Sequence, residues 1–269
     1  MGDTGQVSSS AAEFYDEFFV PALFAEWAPR LVAAAELGPG ERVLDVACGT
    51  GIATLDADRA VAPDGAVVGV DLNAGMIAVA RSKAPQVEWQ EGAAEALPFG
   101  DEVFDAVLSQ FGLMFFSDRS RALQEMCRVL RPSGRLAVAV WGSLEQTPGY
   151  AAMTALLSRL FGDSIADLLR SPYSLGSAEH LGRLMSRAGF GEVSVQLVPG
   201  TARFPSIRSW IECDVRGWTL ADQIDDAQFE QLAAEAEKEL THLLTADGEV
   251  QFAHPALVAT ALKSATTPA

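Results

Sequence analysis

Arg42-Val43-Leu44-Asp45-Val46-Ala47-Cys48-Gly49-Thr50-Gly51-Ile52-Ala53 is the stretch whose reading decides the fold. Val43, Leu44 and Val46 form an aliphatic, β-branched run that reads as a buried strand. A turn of small residues ends it, and a helical segment follows from Ile52 to about Ala62. Gly49 and Gly51 allow a sharp turn and bring bare N–H groups close to a ligand, where a Cβ would collide. The open N-terminus of the next helix favours a negatively charged group. Strand, glycine turn and helix together make a cradle for a small ligand.

Outward from that cradle, strands and helices alternate. Ala66 to Asp71 reads as a second strand and Ala74 to Lys83 as a helix. Val87 to Gln90 and Phe104 to Ser109 are further strands, and Arg119 to Leu130 is an amphipathic helix with Leu123, Met126, Cys127 and Leu130 on its core face. Arg131-Pro132-Ser133-Gly134 stops it before a strand over Arg135 to Trp141. This alternation implies βαβ units in a mostly parallel α/β sheet with right-handed crossovers. Ligands then sit outside the carboxyl ends of the strands, where Asp45, Asp71, Gly92 and Ser109 fall.

Upstream, Ala11 to Leu37 reads as helices interrupted at Pro21 and Pro29, after a polar tail over residues 1–10 that is expected to be disordered. The aromatics Phe14, Tyr15, Phe18, Phe19, Phe24 and Trp27 either cover a sheet edge or close over the ligand site, with Tyr15 as the polar handle. Downstream, helices are expected over Gly149–Phe161, Ile165–Arg170, Ala178–Ala188, Ile207–Trp218 and Asp226–Leu244. Strands are expected over Val193–Val198 and Ala256–Leu262. The insertions Gly149–Tyr173 and Ile207–Leu244 exceed connecting loops and read as a helical lid, or as a contact between two copies.

Composition narrows the partners. The chain has 269 residues, 49% hydrophobic, enough to bury a full core. A formal charge of −17 disfavours nucleic acid, whose phosphates need clustered Lys and Arg. The three cysteines, Cys48, Cys127 and Cys213, form no C-x-x-C pair, which speaks against a disulfide framework or a zinc site and for a reducing compartment. No metal site is expected. No apolar run reaches the roughly 18 residues of a membrane span, and no signal-peptide pattern opens the sequence, so the expected setting is cytoplasmic.

Two ligand classes compete for the cradle. A dinucleotide fingerprint wants a third small residue where Thr54 stands. Asp71 suits a ribose in either case, but Asp45, just before the glycine turn, would face a pyrophosphate badly. It suits a ligand that carries an ammonium group.

At this point Val43-Leu44-Asp45-Val46-Ala47-Cys48-Gly49-Thr50-Gly51 resembles motif I of the class I S-adenosylmethionine-dependent methyltransferases, in the flavour of the ubiquinone/menaquinone-biosynthesis C-methyltransferases. Further pieces match in order: Gly69-Val70-Asp71-Leu72 with Met76; Gly92-Ala93-Ala94-Glu95-Ala96-Leu97-Pro98-Phe99; Phe104 to Phe111; and Arg128 to Arg135. The resemblance implies a Rossmann-like, seven-stranded, mostly parallel sheet flanked by helices, with helical lid insertions and an antiparallel last strand. It divides the chain into a helical cap over 11–40, an S-adenosyl-L-methionine-binding core over 41–142, and lid elements with the last two strands over 143–269.

Residue by residue, the resemblance places Ala47, Gly49, Thr50 and Gly51 on the methionine part of the cofactor, with Asp45 near its amino group. Asp71 takes the ribose hydroxyls, Leu72 and Met76 sandwich the adenine, and Gly92, Ala93 and Ala94 meet its edge. Ala47 replaces the first glycine of the loop at little cost. The acid often found at Ala93 is absent, so the exocyclic amine falls to a backbone carbonyl or to Glu95. Ser109, Gln110 and Phe111 lie beside the sulfonium at the mouth of the acceptor pocket. The implied activity is methyl transfer to a small, apolar or aromatic molecule by a monomer or homodimer; an NAD(P)-dependent oxidoreductase and a non-catalytic binding module are the alternatives.

Positioning in a dry pocket supplies most of such catalysis. A base would come from His254, Asp214 or Tyr173, with Arg216 as a further acceptor contact, whereas His180 and His242 read as surface residues. Gly92, Leu97 and Pro98 also read as a simple turn, Cys48 as a small packed residue, and Asp101 and Glu102 as a solvated turn.

Overall fold

Strand β1 (Arg42–Val46) is buried on both faces from Val43 onward, as an aliphatic run in the middle of a parallel sheet must be. The computed structural model describes residues 9–216, 220 and 223–264. Residues 1–8 of the expected tail and Trp218 at the end of one expected helix lie outside them, while helix already begins at Ser9.

In chain order the elements are α1 (Ser9–Phe14), a wide-wound helical segment Tyr15–Phe24, and α2 (Ala28–Ala34), all ahead of β1. Then follow α3 (Ile52–Val61), β2 (Ala66–Asp71), α4 (Ala74–Lys83), β3 (Glu88–Glu91), β4 (Phe104–Gln110), α5 (Arg119–Val129) and β5 (Leu130–Trp141). The second half holds α6 (Pro148–Phe161), α7 (Asp163–Arg170), α8 (Ala178–Arg187), β6 (Phe190–Val198), β7 (Thr201–Phe204), α9 (Ile207–Arg216), α10 (Asp226–Glu239), β8 (Val250–Ala253) and β9 (Ala256–Lys263).

Seven strands form one sheet in the order β3-β2-β1-β4-β5-β9-β6. β1 pairs in parallel with β2 on one side and β4 on the other, so the strand order reverses at β1 and opens a crevice at the carboxyl ends. β9 runs antiparallel to both β5 and β6. The fold expected from sequence is therefore the fold observed.

Three local expectations change. Pro21 does not break the N-terminal helix: it sits inside the segment Tyr15–Phe24, where the Ala25 N–H bonds Val20 O across five residues. The chain turns after Phe24 instead, and Pro29 stands in the first turn of α2, where its missing N–H costs nothing. Asp226–Leu244 is not one helix; α10 ends at Glu239 and a short 3₁₀ turn covers Thr241–Leu243. The third change is an unforeseen ribbon, β7 paired antiparallel with β8, whose inward side chains Ala202, Phe204, Val250 and Phe252 face α6 and α9.

The motif around Arg128 is structural. Glu125, nearly buried on α5, accepts from the Leu97 N–H (3.0 Å) and from Arg128 Nη2 (2.7 Å). Arg128 in turn donates to Leu97 O (3.1 Å), Phe99 O (2.8 Å) and Asp101 Oδ1 (2.8 Å). This clasp folds the loop after β3 against α5, and Asp101 joins it from the exposed turn expected at Asp101 and Glu102. Charge-assisted bonds of this kind are the strong ones, and the Arg128 guanidinium holds the Glu125 carboxyl below the ordinary range.

Removing the carboxylate leaves the buried Leu97 N–H without a partner and strips the half-buried guanidinium of its nearest carboxylate, although Leu97 O, Phe99 O and Asp101 still accept from it. Glu125→Ala is expected to lower stability by about 2–3 kcal/mol in a urea titration. A loss under about 0.5 kcal/mol would show that the clasp contributes no net stability.

Candidate active site

The turn after β1 is held by its neighbour. Gly49 N–H donates to Asp71 Oδ2 (2.8 Å) at the end of β2, and Asn73 N–H donates to Asp71 Oδ1 (2.8 Å). Each oxygen keeps a further lone pair, so Asp71 positions the turn and still faces outward as an acceptor. The two glycines have different reasons. Gly49 (φ +54°) has open space where a Cβ would stand, whereas at Gly51 (φ +91°) a Cβ would come within 2.5 Å of the Trp89 ring. Gly51 thus makes room for a buried tryptophan, not for a ligand. Ala47 also adopts positive φ (58°), a conformation that costs an L-residue roughly 1–2 kcal/mol, so it is not the cheap replacement expected from sequence.

Above the turn lies a small hollow of about 30 Å³, lined by Tyr15, Phe24, Asp45, Ala47, Cys48, Gly49, Thr50, Ile52, Ala53 and Gln110. Of the residues expected at the cofactor, Tyr15, Asp45, Ala47, Gly49, Thr50 and Gln110 form its wall. Gly51, Asp71, Leu72, Met76, Gly92, Ala93, Ala94, Glu95, Ser109 and Phe111 stand outside it. Ile52 and Ala53 were not anticipated as lining, whereas Phe24 is one of the aromatics read as either covering a sheet edge or closing over the ligand site. Phe24 belongs to the aromatic-rich N-terminus, and only its place in space shows that it roofs the site.

The roof is tied on two sides. Lys83 Nζ on α4 pairs with Asp16 Oδ1 (2.6 Å), and Gln110 Nε2 donates to Phe24 O (3.3 Å). Behind it, Arg30 donates to Pro199 O (2.7 Å) and Thr201 N–H donates to Glu26 Oε1 (2.8 Å).

The floor is electrostatically unusual. Asp45 is fully buried; Thr54 Oγ1 donates to its Oδ2 (2.6 Å), and Oδ1 has no partner. Burial, with Asp71 nearby, pushes its carboxyl up to about 7. Gln110 Oε1, Thr50 Oγ1 and Ser109 Oγ are likewise buried without partners. Two open acceptors and one open hydroxyl lining one small hollow, with Ser109 Oγ open outside its lining, are unusual, because buried polar groups are ordinarily paired. Thr54, the residue that departs from the dinucleotide fingerprint, is the one that holds Asp45.

Other expectations resolve differently. Glu95 Oε1 accepts from Ser117 N–H (3.0 Å), Ser117 Oγ (2.9 Å) and Asp118 N–H (3.3 Å), so it braces the start of α5 instead of facing the hollow. Arg216 is on the surface beside Glu212 and Asp226. His180 and His242 are exposed, as expected. Cys48 is a buried thiol pushed well above its usual pKa by burial, which fits a packed residue.

His254, Tyr173 and Asp214 do come together, one aromatic layer away. Phe111 stacks on Trp141 with ring centroids 3.7 Å apart, and Trp141 stacks on His254 at 3.8 Å. His254 Nε2 and the Tyr173 hydroxyl share a hydrogen bond (3.0 Å), and burial pulls the imidazole down to about 3. It is neutral near pH 7 and a weak base. Tyr150 O–H donates to Asp214 Oδ1 (3.2 Å) in the same cluster.

A reversing parallel sheet with a glycine turn, an acid at the end of β2 and a carboxylate under the turn defines a Rossmann-like methyltransferase fold. Residues 44–138 match the family described as "Methyltransferase domain". The chain is 42% identical over 123 residues to an uncharacterised protein of Mycobacterium tuberculosis, covering 44% of each chain. It is 34% identical over 188 residues to the demethylmenaquinone methyltransferase of Staphylococcus aureus, covering 65% of this chain and 78% of that one. The crystal structure of the YcgJ protein of Bacillus subtilis superposes with a TM-score of 0.62 at 23% identity, covering 89% of this chain and 98% of that one. The chain belongs to this methyltransferase family. Its match spans less than half the length of the mycobacterial relative.

A carboxyl whose folded-state pKa is raised binds protons that the unfolded chain releases near 4, so stability falls as pH rises between about 4 and 7. Asp45→Asn is expected to remove up to about 1.4 kcal/mol per pH unit of that slope. Thermal melts of the ligand-free protein across pH 4 to 7 read it out, and an identical slope in the variant would contradict the raised pKa.

Proposed function

We propose that this chain binds S-adenosyl-L-methionine and transfers its methyl group to a small apolar or aromatic acceptor. The observation that carries the reading is the unpaired Asp45 Oδ1 in the floor of the hollow. A buried carboxylate next to a second one is costly alone, and a cation offsets that cost. The ammonium of an amino-acid ligand answers both open acceptors, Asp45 Oδ1 and Gln110 Oε1, while the Thr50 hydroxyl is available to its carboxylate. Asp71 keeps lone pairs for sugar hydroxyls. Leu72, 61% exposed immediately after it, offers the apolar surface that an adenine would cover. The cofactor supplies an electrophilic methyl on a sulfonium; the residues named here bind and orient it, and the aromatic roof excludes water.

An apolar acceptor is supported by a second, wider groove of about 480 Å³ on the far side of the roof, lined in part by Phe14, Phe18, Pro21, Phe204 and Cys213. Helices α6, α7, α9 and α10 serve in this reading as the lid over the acceptor. No helix among the described residues is long and apolar enough to cross a membrane. The three free cysteines support a cytoplasmic setting, with the chain working as a monomer or homodimer.

Calorimetry is expected to show binding of S-adenosylmethionine and S-adenosylhomocysteine and none of NAD. Asp45→Ala removes a charged partner worth roughly 1.5–3 kcal/mol, so affinity for S-adenosylhomocysteine should fall on the order of ten- to a hundredfold. Binding of NAD alone, or an unchanged affinity in the variant, would overturn the assignment of the hollow.

A further inference from the structure

The cofactor hollow has an acid floor, a ring roof and no cation in its walls. Its volume of about 30 Å³ is room for about two water-sized groups, so it takes the charged end of a ligand and not the bulk. Asp45 Oδ1 and Gln110 Oε1 are its open acceptors, and Asp71 stands close enough to act on Asp45. Among the described residues no lysine or arginine lines it. The roof consists of two rings from the N-terminal segment, Tyr15 and Phe24.

The two rings are held as a unit. Their centroids are 5.3 Å apart and their planes 28° from parallel. Phe19 stacks on Tyr15 at 5.7 Å, while Phe111 and Trp141 pack on Phe24 at 5.5 and 5.8 Å. Burial, with Asp71 and Asp16 nearby, pushes the Tyr15 hydroxyl above its ordinary range, so the phenol is neutral. Gln110 Nε2 ties Phe24 in place through its carbonyl oxygen (3.3 Å). An aliphatic roof would exclude water equally well. Rings add a quadrupole that attracts a cation within about 6 Å of the ring centre.

A group held in so small a space lies within that reach of both rings. S-adenosylmethionine carries two cations, an ammonium and, three carbons along, a sulfonium. The ammonium donates hydrogen bonds and answers Asp45 Oδ1 and Gln110 Oε1. A sulfonium has no N–H or O–H to donate, so hydrogen-bond acceptors suit it poorly and ring faces suit it well, as they do a quaternary ammonium. Exclusion of water under the roof strengthens that attraction.

We propose that Tyr15 and Phe24 hold the sulfonium by its charge and so discriminate the methyl donor from its demethylated product. This rests on the methyl-transfer reading above and adds a specificity-determining pair to it. Donor and product share the ammonium, the sugar and the base; they differ in the methyl group and in the positive charge on sulfur. Asp45, Gln110 and Asp71 bind what the two share, whereas the rings respond to what differs. The neutral thioether gains little from a ring quadrupole, so the roof favours replacement of product by donor. The carboxylates also attract charge at sulfur, but they stay in place when a ring is removed.

Calorimetry of S-adenosylmethionine and S-adenosylhomocysteine on the full chain tests this, at pH 8 so that the Asp45 carboxyl, raised to about 7, is ionised throughout. In Phe24→Leu and in Tyr15→Leu, affinity for S-adenosylmethionine is expected to fall about three- to tenfold relative to S-adenosylhomocysteine. Tyr15→Phe, which keeps the ring, retains the wild-type ratio of the two affinities. A roof that only packs would weaken both ligands by one factor in the leucine variants, and that result would overturn the proposal. Thermal melts identify the folded variants, and either leucine variant alone is decisive. Binding of neither ligand by the wild type would remove the methyl-transfer reading and this proposal with it. Binding of both, with a ratio that the leucine variants leave unchanged, removes the ring pair alone.

Discussion

The bond from Gly49 N–H to Asp71 Oδ2 is the constraint on which the rest depends. It joins the turn after β1 to the end of β2, beside the point between β1 and β4 where the strand order reverses. That junction fixes how far the turn stands off the sheet and how much room lies above it. The conformations on either side follow: Gly49, Gly51 and Ala47 all take positive φ, and Gly51 leaves the space that Trp89 fills. With the turn held from below, Asp45 is sealed beneath it with one oxygen open.

The site shares a covering layer with the lid. Phe24 roofs the hollow and packs on Phe111 and Trp141, with ring centroids 5.5 and 5.8 Å apart. Trp141 passes the contact to His254, and His254 to Tyr173 and Tyr150. One continuous run of rings thus couples the N-terminal segment to the second half of the chain. A charge pair ties down the N-terminal segment, through Lys83 with Asp16, and aromatic packing fills the middle. Such a layer excludes water from the polar groups around Asp45, which is where an open carboxylate oxygen has its largest electrostatic effect.

Much of the first half of the chain was legible, although Pro21 lies within a helical segment and β5 starts at Leu130, five residues before the expected Arg135. α4 spans Ala74–Lys83 as its pattern indicated, and β1, β2 and α5 agree to within a residue or so. Their signals are local: hydrophobic period, capping residues such as Asn73 and Asp118, and turn chemistry. In the candidate site, Asp45, Asp71 and the glycine turn were visible because strand ends and glycines carry meaning in one dimension. Glu95 was misjudged for the opposite reason. Its partners, Ser117 and Asp118, lie more than 20 residues on, and nothing local announces the bond. The β7–β8 ribbon was missed because two four-residue segments show alternation too briefly to register, and their pairing joins Thr201 to Ala253.

By itself, the sequence determined the α/β order of elements, the parallel core of the sheet, and the two acids and glycine turn that converge at its carboxyl ends, because each is set by periodicity and backbone freedom within a few residues. Only the tertiary structure decided what those groups face. It put Phe24 over the hollow, set Trp89 under Gly51, left one oxygen of Asp45 open, and packed Asp214 and Trp210 against Tyr150. These are contacts between segments far apart in the chain, settled by which apolar faces pack together.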